Sequence, residues 1–334
     1  MKLAAFSPDV LKFDAAQEVA RISTVVRDQV FTQLKRKGAV LGLSGGIDSS
    51  VSAALCARAL GPNRTLGLFM PESDSSDDSL RLGRLLADSL GIPSVLENIH
   101  PVLKGTRCYE RRDEAIRTVL PEYTEQYKFK IVLPHVSEKS AYAIFSLIAQ
   151  SPAGVQKKVR LTAEAYRVIV AATNFKQRVR KMMEYYHADR LQFAVAGTPN
   201  LLEYDQGFFV KNGDGSADFK PIAHLYKSQV YQLASYLNIP EEIRRRPPTT
   251  DTYSLEQTQE EFYFSMPLDK MDLCLYGRNH NIPEGEVASV TGLTAEQVSF
   301  VNKQIDSKRS ATRYLHLKPL LAGEDPLRLW EERA

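Results

Sequence analysis

Residues 41–50 read Leu-Gly-Leu-Ser-Gly-Gly-Ile-Asp-Ser-Ser, and they constrain the fold more than any other stretch of the chain. An apolar run through Val40 ends in a polar, glycine-rich turn, and residues 51–60 continue as a helix of small apolar side chains. Strand, glycine-rich loop and helix together form an anion site. Gly45 and Gly46 let the backbone approach a ligand with no Cβ in the way. The N–H groups of the first helical turn are unpaired and lie at the positive end of the helix dipole. Ser44, Ser49 and Ser50 add hydroxyls. Asp48 fits beside a phosphate only with a cation between the two. The spacing is not G-x-x-x-x-G-K-[ST], and the lysine of that loop is missing. The alternative is a glycine–serine turn with no ligand, against which the flanking strand and helix weigh.

Around this loop the chain alternates. Strands are expected at 40–43, 65–70 and 94–99, and helices at 14–36, 51–60 and 79–90. This rhythm predicts an α/β fold, a doubly wound and mostly parallel sheet with helices on both faces. Residues 101–160 read as an insertion or lid: a charge-dense stretch at 107–117, an apolar patch within 123–134, a helix over 137–151 and a loop at 153–158. A basic helix over 173–187, a strand at 192–197, a glycine- and aspartate-rich loop at 203–218 and a helix over 228–237 follow. Short helices over 267–315 form a small helical C-terminal region. The expected organisation is one domain over 1–315 and a tail at 316–334.

Composition excludes several classes. A net charge of +3 on 334 residues argues against wholesale nucleic-acid binding. Cys56, Cys108 and Cys274 are scattered and odd in number, which fits a reducing compartment better than a disulfide framework or zinc knuckle. No stretch approaches the ~20 apolar residues of a membrane span, and the N-terminus lacks a signal-peptide pattern. The expected location is cytoplasmic.

Other residues suggest chemistry. Asn174 and Arg178, four apart on one helix, share a face that suits a phosphate or carboxylate, or else a solvated basic surface; Arg180 lies two residues on. Glu203 alone reads as a surface or capping residue. Lys227 falls at a predicted helix start, where a cation is unfavourable unless an anion is near. Asp214 and Asp218 bracket Gly215 as in an ordinary turn. Thr249 and Asp251 follow a Pro-Pro break.

The 44–50 loop resembles the S-G-G-x-D-S-S loop of the ATP pyrophosphatase superfamily, which holds the pyrophosphate of ATP and cleaves between its α and β phosphates. Further segments resemble the NAD synthetases of that superfamily, in order and spacing: Met70-Pro71-Glu72-Ser73-Asp74-Ser75, the Asn174–Met182 helix, Gly197-Thr198-Pro199-Asn200 with Glu203, the Lys211–Asp218 loop, Pro221-Ile222 to Gln229, and Pro247–Asp251. Together they cover about 40–50 and 160–315. The resemblance implies an adenine nucleotide alpha hydrolase-like fold. It implies an ATP site of Gly42, Ser44, Gly45, Gly46, Asp48, Ser49, Ser50, Met70, Thr198, Lys227 and Thr249, and Mg²⁺ held by Asp48 and Glu203. It places the acceptor, deamido-NAD, near Asn174, Arg178, Lys211, Asp214 and Asp218. The reaction implied is adenylation of the nicotinic acid carboxylate with loss of pyrophosphate, then attack by ammonia and loss of AMP. Asp218 or Asp251 would take the proton from ammonium, and the catalytic set would be Asp48, Lys227, Asp218 and Asp251. The core strand begins near residue 39, so no glutaminase domain is expected, and ammonia is free or comes from a separate glutaminase. A homodimer is implied, with the apolar face of the 14–36 helix available to it. The alternatives are a same-family amide ligase for another carboxylate and a catalytically silent paralogue.

Overall fold

The computed structural model describes residues 6–132, 145–249 and 252–323. In chain order the elements are α1 (Ala15–Asp28), β1 (Ala39–Gly42), α2 (Ile47–Leu60), β2 (Thr65–Phe69), α3 (Asp77–Leu90), β3 (Ser94–Leu96), α4 (His100–Gly105), α5 (Cys108–Arg117), β4 (Lys128–Val132), β5 (Ser146–Gln150), β6 (Gln156–Arg160), α6 (Ala163–Leu191), β7 (Ala194–Val195), α7 (Leu201–Gln206), α8 (Lys227–Tyr236), α9 (Glu241–Arg245), α10 (Leu268–Asn279), α11 (Glu284–Thr291) and α12 (Ala295–His316).

Strands β3, β2, β1 and β7 pair in that order, all parallel. Successive strand residues point to opposite faces, and each face has its own core. Ala39, Leu41, Ala194 and Phe69 pack with Val19 and Ile22 of α1, Val51 and Leu55 of α2, Leu82 of α3 and Val230 of α8. Val40, Leu66, Leu68 and Val195 pack with Leu103 of α4, Cys108 of α5 and Val179 of α6. Both faces are covered, as the expected doubly wound α/β sheet requires.

The 14–36 helix is shorter than its pattern suggests. Asp14 caps α1 by accepting from the Gln17 N–H at 3.0 Å, and after Asp28 the chain widens into a π-turn at Gln29–Gln33. Its apolar stripe, Val19, Ile22, Val26 and Val30, is buried in the core of the same chain, so it offers no face to a second copy. The C-terminal region is helical, but not by short helices alone. The last, α12, has 22 residues and packs with α10 and α11 on a separate core that also takes in Phe6 and Leu11.

The largest correction falls in residues 101–160. The expected helix over 137–151 and loop over 153–158 are instead, among the described residues, β5 and β6 of an antiparallel sheet ordered β4–β5–β6; residues 133–144 lie outside the described residues. Burial alternates along β5, with Leu147 and Ala149 inward, and Gly154, at φ +81°, makes the turn to β6. That period of two was masked by apolar residues on both faces. Phe129, Ile131, Leu147 and Ala149 build a third core with Tyr123 and Ile116, Ile169 of α6, and Tyr253. The start of the expected 203–218 loop is α7. No described helix is long and apolar enough to cross a membrane.

Candidate active site

Parallel strands deliver their following loops to one edge of the sheet, where α/β proteins bind ligands. Two cavities lie along that edge, of about 210 and 590 Å³. Both are lined by Ser44 and Ser49 after β1, Gln177 of α6, Thr198 after β7, Asp214 and Thr249. The smaller also takes in Gly42, Met70, Ser76 and Arg180. The larger runs past Asp48, Glu203, Asn174 and Arg178 to an aromatic wall that includes Phe145, Tyr166, Phe208 and Tyr263.

The loop between β1 and α2 has the expected anion-site form. Gly45 sits at φ +72°, and a Cβ there would come within 2.7 Å of the Ser79 carbonyl oxygen, so glycine is required on two counts. Helix α2 begins after Gly46 with no side-chain cap, leaving its first N–H groups for a ligand. Ser49 Oγ lies 3.1 Å from Ser44 Oγ and donates to the Gly46 carbonyl at 3.0 Å. Ser50 donates its hydroxyl to the same carbonyl at 2.8 Å, is fully buried and lines neither cavity.

Asp48 and Glu203 come together beside Lys227. The Lys227 ammonium contacts Asp48 Oδ2, and Asn200 Nδ2 donates to Asp48 Oδ1 at 3.1 Å. Glu203 closes a capping box at the start of α7: its N–H donates to Asn200 Oδ1, and its Oε2 accepts from the Asn200 N–H, each at 3.2 Å. Gln259 Nε2 donates to Glu203 Oε1 at 2.7 Å. Burial and the Asp48 charge hold the Glu203 carboxyl well above the usual carboxylate range, despite Lys227. Burial alone would lower the Lys227 pKa, but attraction to Asp48 and Glu203 outweighs it and keeps the ammonium charged. Lys227 opens α8, where a cation opposes the helix dipole. Asp272 of α10 offsets this by accepting from the N–H groups of Lys227 and Ser228 at 3.1 and 2.7 Å.

The acceptor candidates are distributed differently. Asn174 and Arg178 both line the larger cavity, whereas Arg180 faces the smaller. Arg178 Nε donates to the Lys211 carbonyl at 3.3 Å. The Lys211 ammonium donates to the Tyr314 carbonyl at 2.8 Å, fastening its loop to the end of α12. Asp214 accepts from the Val210 N–H at 2.8 Å, and burial raises its pKa. Asp218 lines neither cavity; it accepts from the Val195 N–H at 2.7 Å and from the Tyr185 hydroxyl at 3.2 Å. Asp251 lies outside the described residues.

Sequence reasoning missed the charged cluster beside this site. The Lys176 ammonium is buried between Glu72 at 3.0 Å and Asp74 at 2.5 Å, and donates to the Thr252 carbonyl at 2.8 Å. Arg112 of α5 reaches Asp74 at 2.6 Å and Asp113 at 2.8 Å, and the Tyr109 hydroxyl donates to Glu72 at 3.0 Å. Burial would raise the Asp74 pKa, but Lys176 and Arg112 together hold it below the usual range. Lys308 of α12 was also missed. It lies over the Tyr263 ring at 4.2 Å and donates to the Tyr263 carbonyl at 2.7 Å, and burial pulls its pKa down to about 7. Only Asn200 carried a usable signal, an Asn three residues before a Glu.

An uncapped helix start behind a Ser-Gly-Gly turn at the carboxyl edge of a doubly wound sheet defines an α/β nucleotide-binding protein. The NAD synthase family model matches residues 18–122 and 137–313, and the chain belongs to that family. It is 60% identical over 319 residues to the NH(3)-dependent NAD(+) synthetase of Mesorhizobium japonicum, covering 95% of this chain and 100% of the relative. The enzyme of that name from Thermotoga maritima is 35% identical over 240 residues, covering 72% of this chain and 79% of the relative. Among solved structures, the NH3-dependent NAD synthetase of Campylobacter jejuni superposes with TM-score 0.62 at 21% identity, over 93% of this chain and 100% of that one. The NMN synthetase of Francisella tularensis superposes with TM-score 0.63 at 20% identity, over 94% of this chain and 100% of that one. These two likenesses concern the fold.

Proposed function

We infer that the chain is an ATP-dependent ligase that amidates the nicotinic acid carboxylate of deamido-NAD with ammonia, giving NAD, AMP and pyrophosphate. The observation that carries this reading is 60% identity along the whole length of a relative named NH(3)-dependent NAD(+) synthetase. The geometry supports it. Adenosine would occupy the smaller cavity beside Gly42, Met70 and Thr198, with the phosphates on Ser44, Gly45, Gly46, Ser49 and the first turn of α2. Lys227 lies beneath Asp48 and holds its charge in place, and Thr249 borders both cavities. Asn174, Arg178, Lys211 and Asp214 border the larger cavity, where the acceptor carboxylate would meet the α phosphate.

The donor set suits a hard cation. Asp48 and Glu203 offer oxygen ligands, and burial together with the Asp48 charge, which raise the Glu203 pKa, would be offset by a bound cation. No group of three or more His, Cys, Asp or Glu side chains suited to a metal occurs among the described residues, so phosphate oxygens and water would complete the shell, as is usual for Mg²⁺. Bound there, Mg²⁺ would neutralise charge on the departing pyrophosphate. Adenylation turns an unreactive carboxylate into an acyl group with AMP as leaving group. Ammonium must shed a proton before ammonia can attack the acyl carbon, and Asp218 and Asp251 remain the proposed acceptors; Asp218, held by the Val195 N–H and the Tyr185 hydroxyl, would have to turn toward the cavity to serve.

A homodimer remains part of the proposal, on a different surface from the 14–36 helix. Val168, Met182 and Tyr186 of α6 are 40%, 52% and 58% exposed, and a second copy would cover them. A cytoplasmic location fits the scattered free thiols, all of them buried.

The test is product analysis with purified protein, ATP, Mg²⁺, ammonium and deamido-NAD. AMP and NAD should appear one for one. ADP as the nucleotide product, or amidation only of another carboxylate, would overturn the assignment.

A further inference from the structure

We propose that Arg246 is a phosphate-contacting catalytic residue, reaching the β and γ phosphates of ATP from the flank of the Ser44–Ser49 loop. The inference rests on the ATP-to-AMP reading above. Three arginines end the α9 segment, and two are committed elsewhere. Arg244 donates to the Ile239 carbonyl at 2.9 Å, and Arg245 pairs with Glu241 on the surface. Arg246 is half-buried and lines the larger cavity together with Ser44, Gly46, Ser49 and Thr249. Its Nη2 reaches Ser79 Oγ at 3.1 Å and Ser76 Oγ at 3.4 Å, and it forms no ion pair among the described residues. Ser79 belongs to the turn of α3 that touches the anion loop, since its carbonyl oxygen is what a Cβ on Gly45 would meet. The guanidinium therefore sits against the flank of the loop, held by neutral hydroxyls that an anion can replace.

Charge balance gives this position a purpose. Asp48, Glu203 and Asp214 all face the larger cavity, while Lys227 is buried against Asp48 and lines neither cavity. Of the other cations that line this cavity, Arg178, Lys211 and Lys308 are held on the Lys211, Tyr314 and Tyr263 carbonyls, so Arg246 is the one that sits against the loop where the triphosphate would lie. Pro247 and Pro248 follow at once, and their fixed φ angles stiffen the arm that carries Arg246. A planar guanidinium can hold two oxygens of the leaving pyrophosphate as charge accumulates on it, so its contacts strengthen along the reaction.

The experiment compares wild type, Arg246→Gln and Arg246→Lys in direct calorimetric binding of ATP, inorganic pyrophosphate and AMP, with steady-state AMP release. Arg246→Gln should weaken ATP and pyrophosphate at least tenfold, leave AMP within twofold and lower kcat. Arg246→Lys should recover part of the loss. Equal weakening of AMP would reveal a structural role and overturn the proposal, as would unchanged pyrophosphate affinity. Failure of the wild type to release AMP at all would instead defeat the functional reading on which the proposal stands.

Discussion

The nucleotide half and the acceptor half of the site are built by opposite means. The ATP side is short-range: residues 42–50 bring a left-handed glycine, an uncapped helix start and two cavity-facing hydroxyls within one turn of chain. The acceptor side is long-range. Its wall collects Phe145 beside β5, Asn174 and Arg178 from α6, Phe208 after α7, Tyr263, and Lys308 and Tyr314 from α12. Lys211 on that wall is braced from afar by the Tyr314 carbonyl, and α12 is tied to α7 by a two-pronged contact from Arg309 to Asp205 at 2.9 and 2.7 Å. Backbone N–H groups keep an anion site whatever surrounds them. Side chains recruited from five segments can be exchanged one at a time, so the half proposed to choose the acceptor is also the half most open to change.

That contrast can be broken most sharply at the seam. Lys176→Met would leave Glu72 and Asp74 buried with one cation fewer, and should cost about 3–5 kcal/mol of stability, the usual effect of breaking a buried ion pair from one side. Urea unfolding measures it; a loss below about 1 kcal/mol would mean that the cluster is not a structural joint. The short-range half should show the reverse, lost chemistry with the fold kept. Asp48→Asn and Glu203→Gln should each lower kcat by a factor on the order of 10², with the circular dichroism of the wild type; Asp48→Asn also leaves the buried Lys227 ammonium short of its partner and should lower the unfolding midpoint, whereas Glu203→Gln should not. Turnover close to wild type at limiting Mg²⁺ would remove either residue from the metal set. Smallest is the effect that separates the halves directly. Arg178→Ala should weaken deamido-NAD by about 1.5–3 kcal/mol, the range for a hydrogen bond to a charged group, and leave ATP unchanged. Equal weakening of both ligands would show that the two cavities do not divide the substrates.

What could be read from sequence followed the same division. The Ser44–Ser50 loop and the strand–helix rhythm are local, and local pattern reports them. The β4–β6 sheet was misread because 145–149 is a short apolar run whose period is ambiguous without its partners. Asp272 lies 45 residues from the helix start it caps, and Gln259 lies 56 from the carboxylate it holds; no spacing rule links residues so far apart. Lys176 was visible only as one more cation of a basic helix, because the carboxylates that bury it come from other segments. Ser50 and Asp218 belong to recognisable motifs, yet their polar atoms are turned to the backbone or to a neighbour, and a motif does not report which way a side chain points.

The charged cluster also bears on descent. Glu72, Asp74 and Asp113 meet Lys176 and Arg112 at nearly dry positions drawn from three separate segments. A lineage that loses one of these charges is left with another stranded in the interior, a cost comparable to much of a domain's net stability. Substitutions there should therefore be inherited in compensating sets, the loop after β2 drifting in step with α5 and α6, while the exposed Lys12–Asp9 pair drifts freely. An alignment of relatives in which positions 74, 112 and 176 vary independently would contradict this.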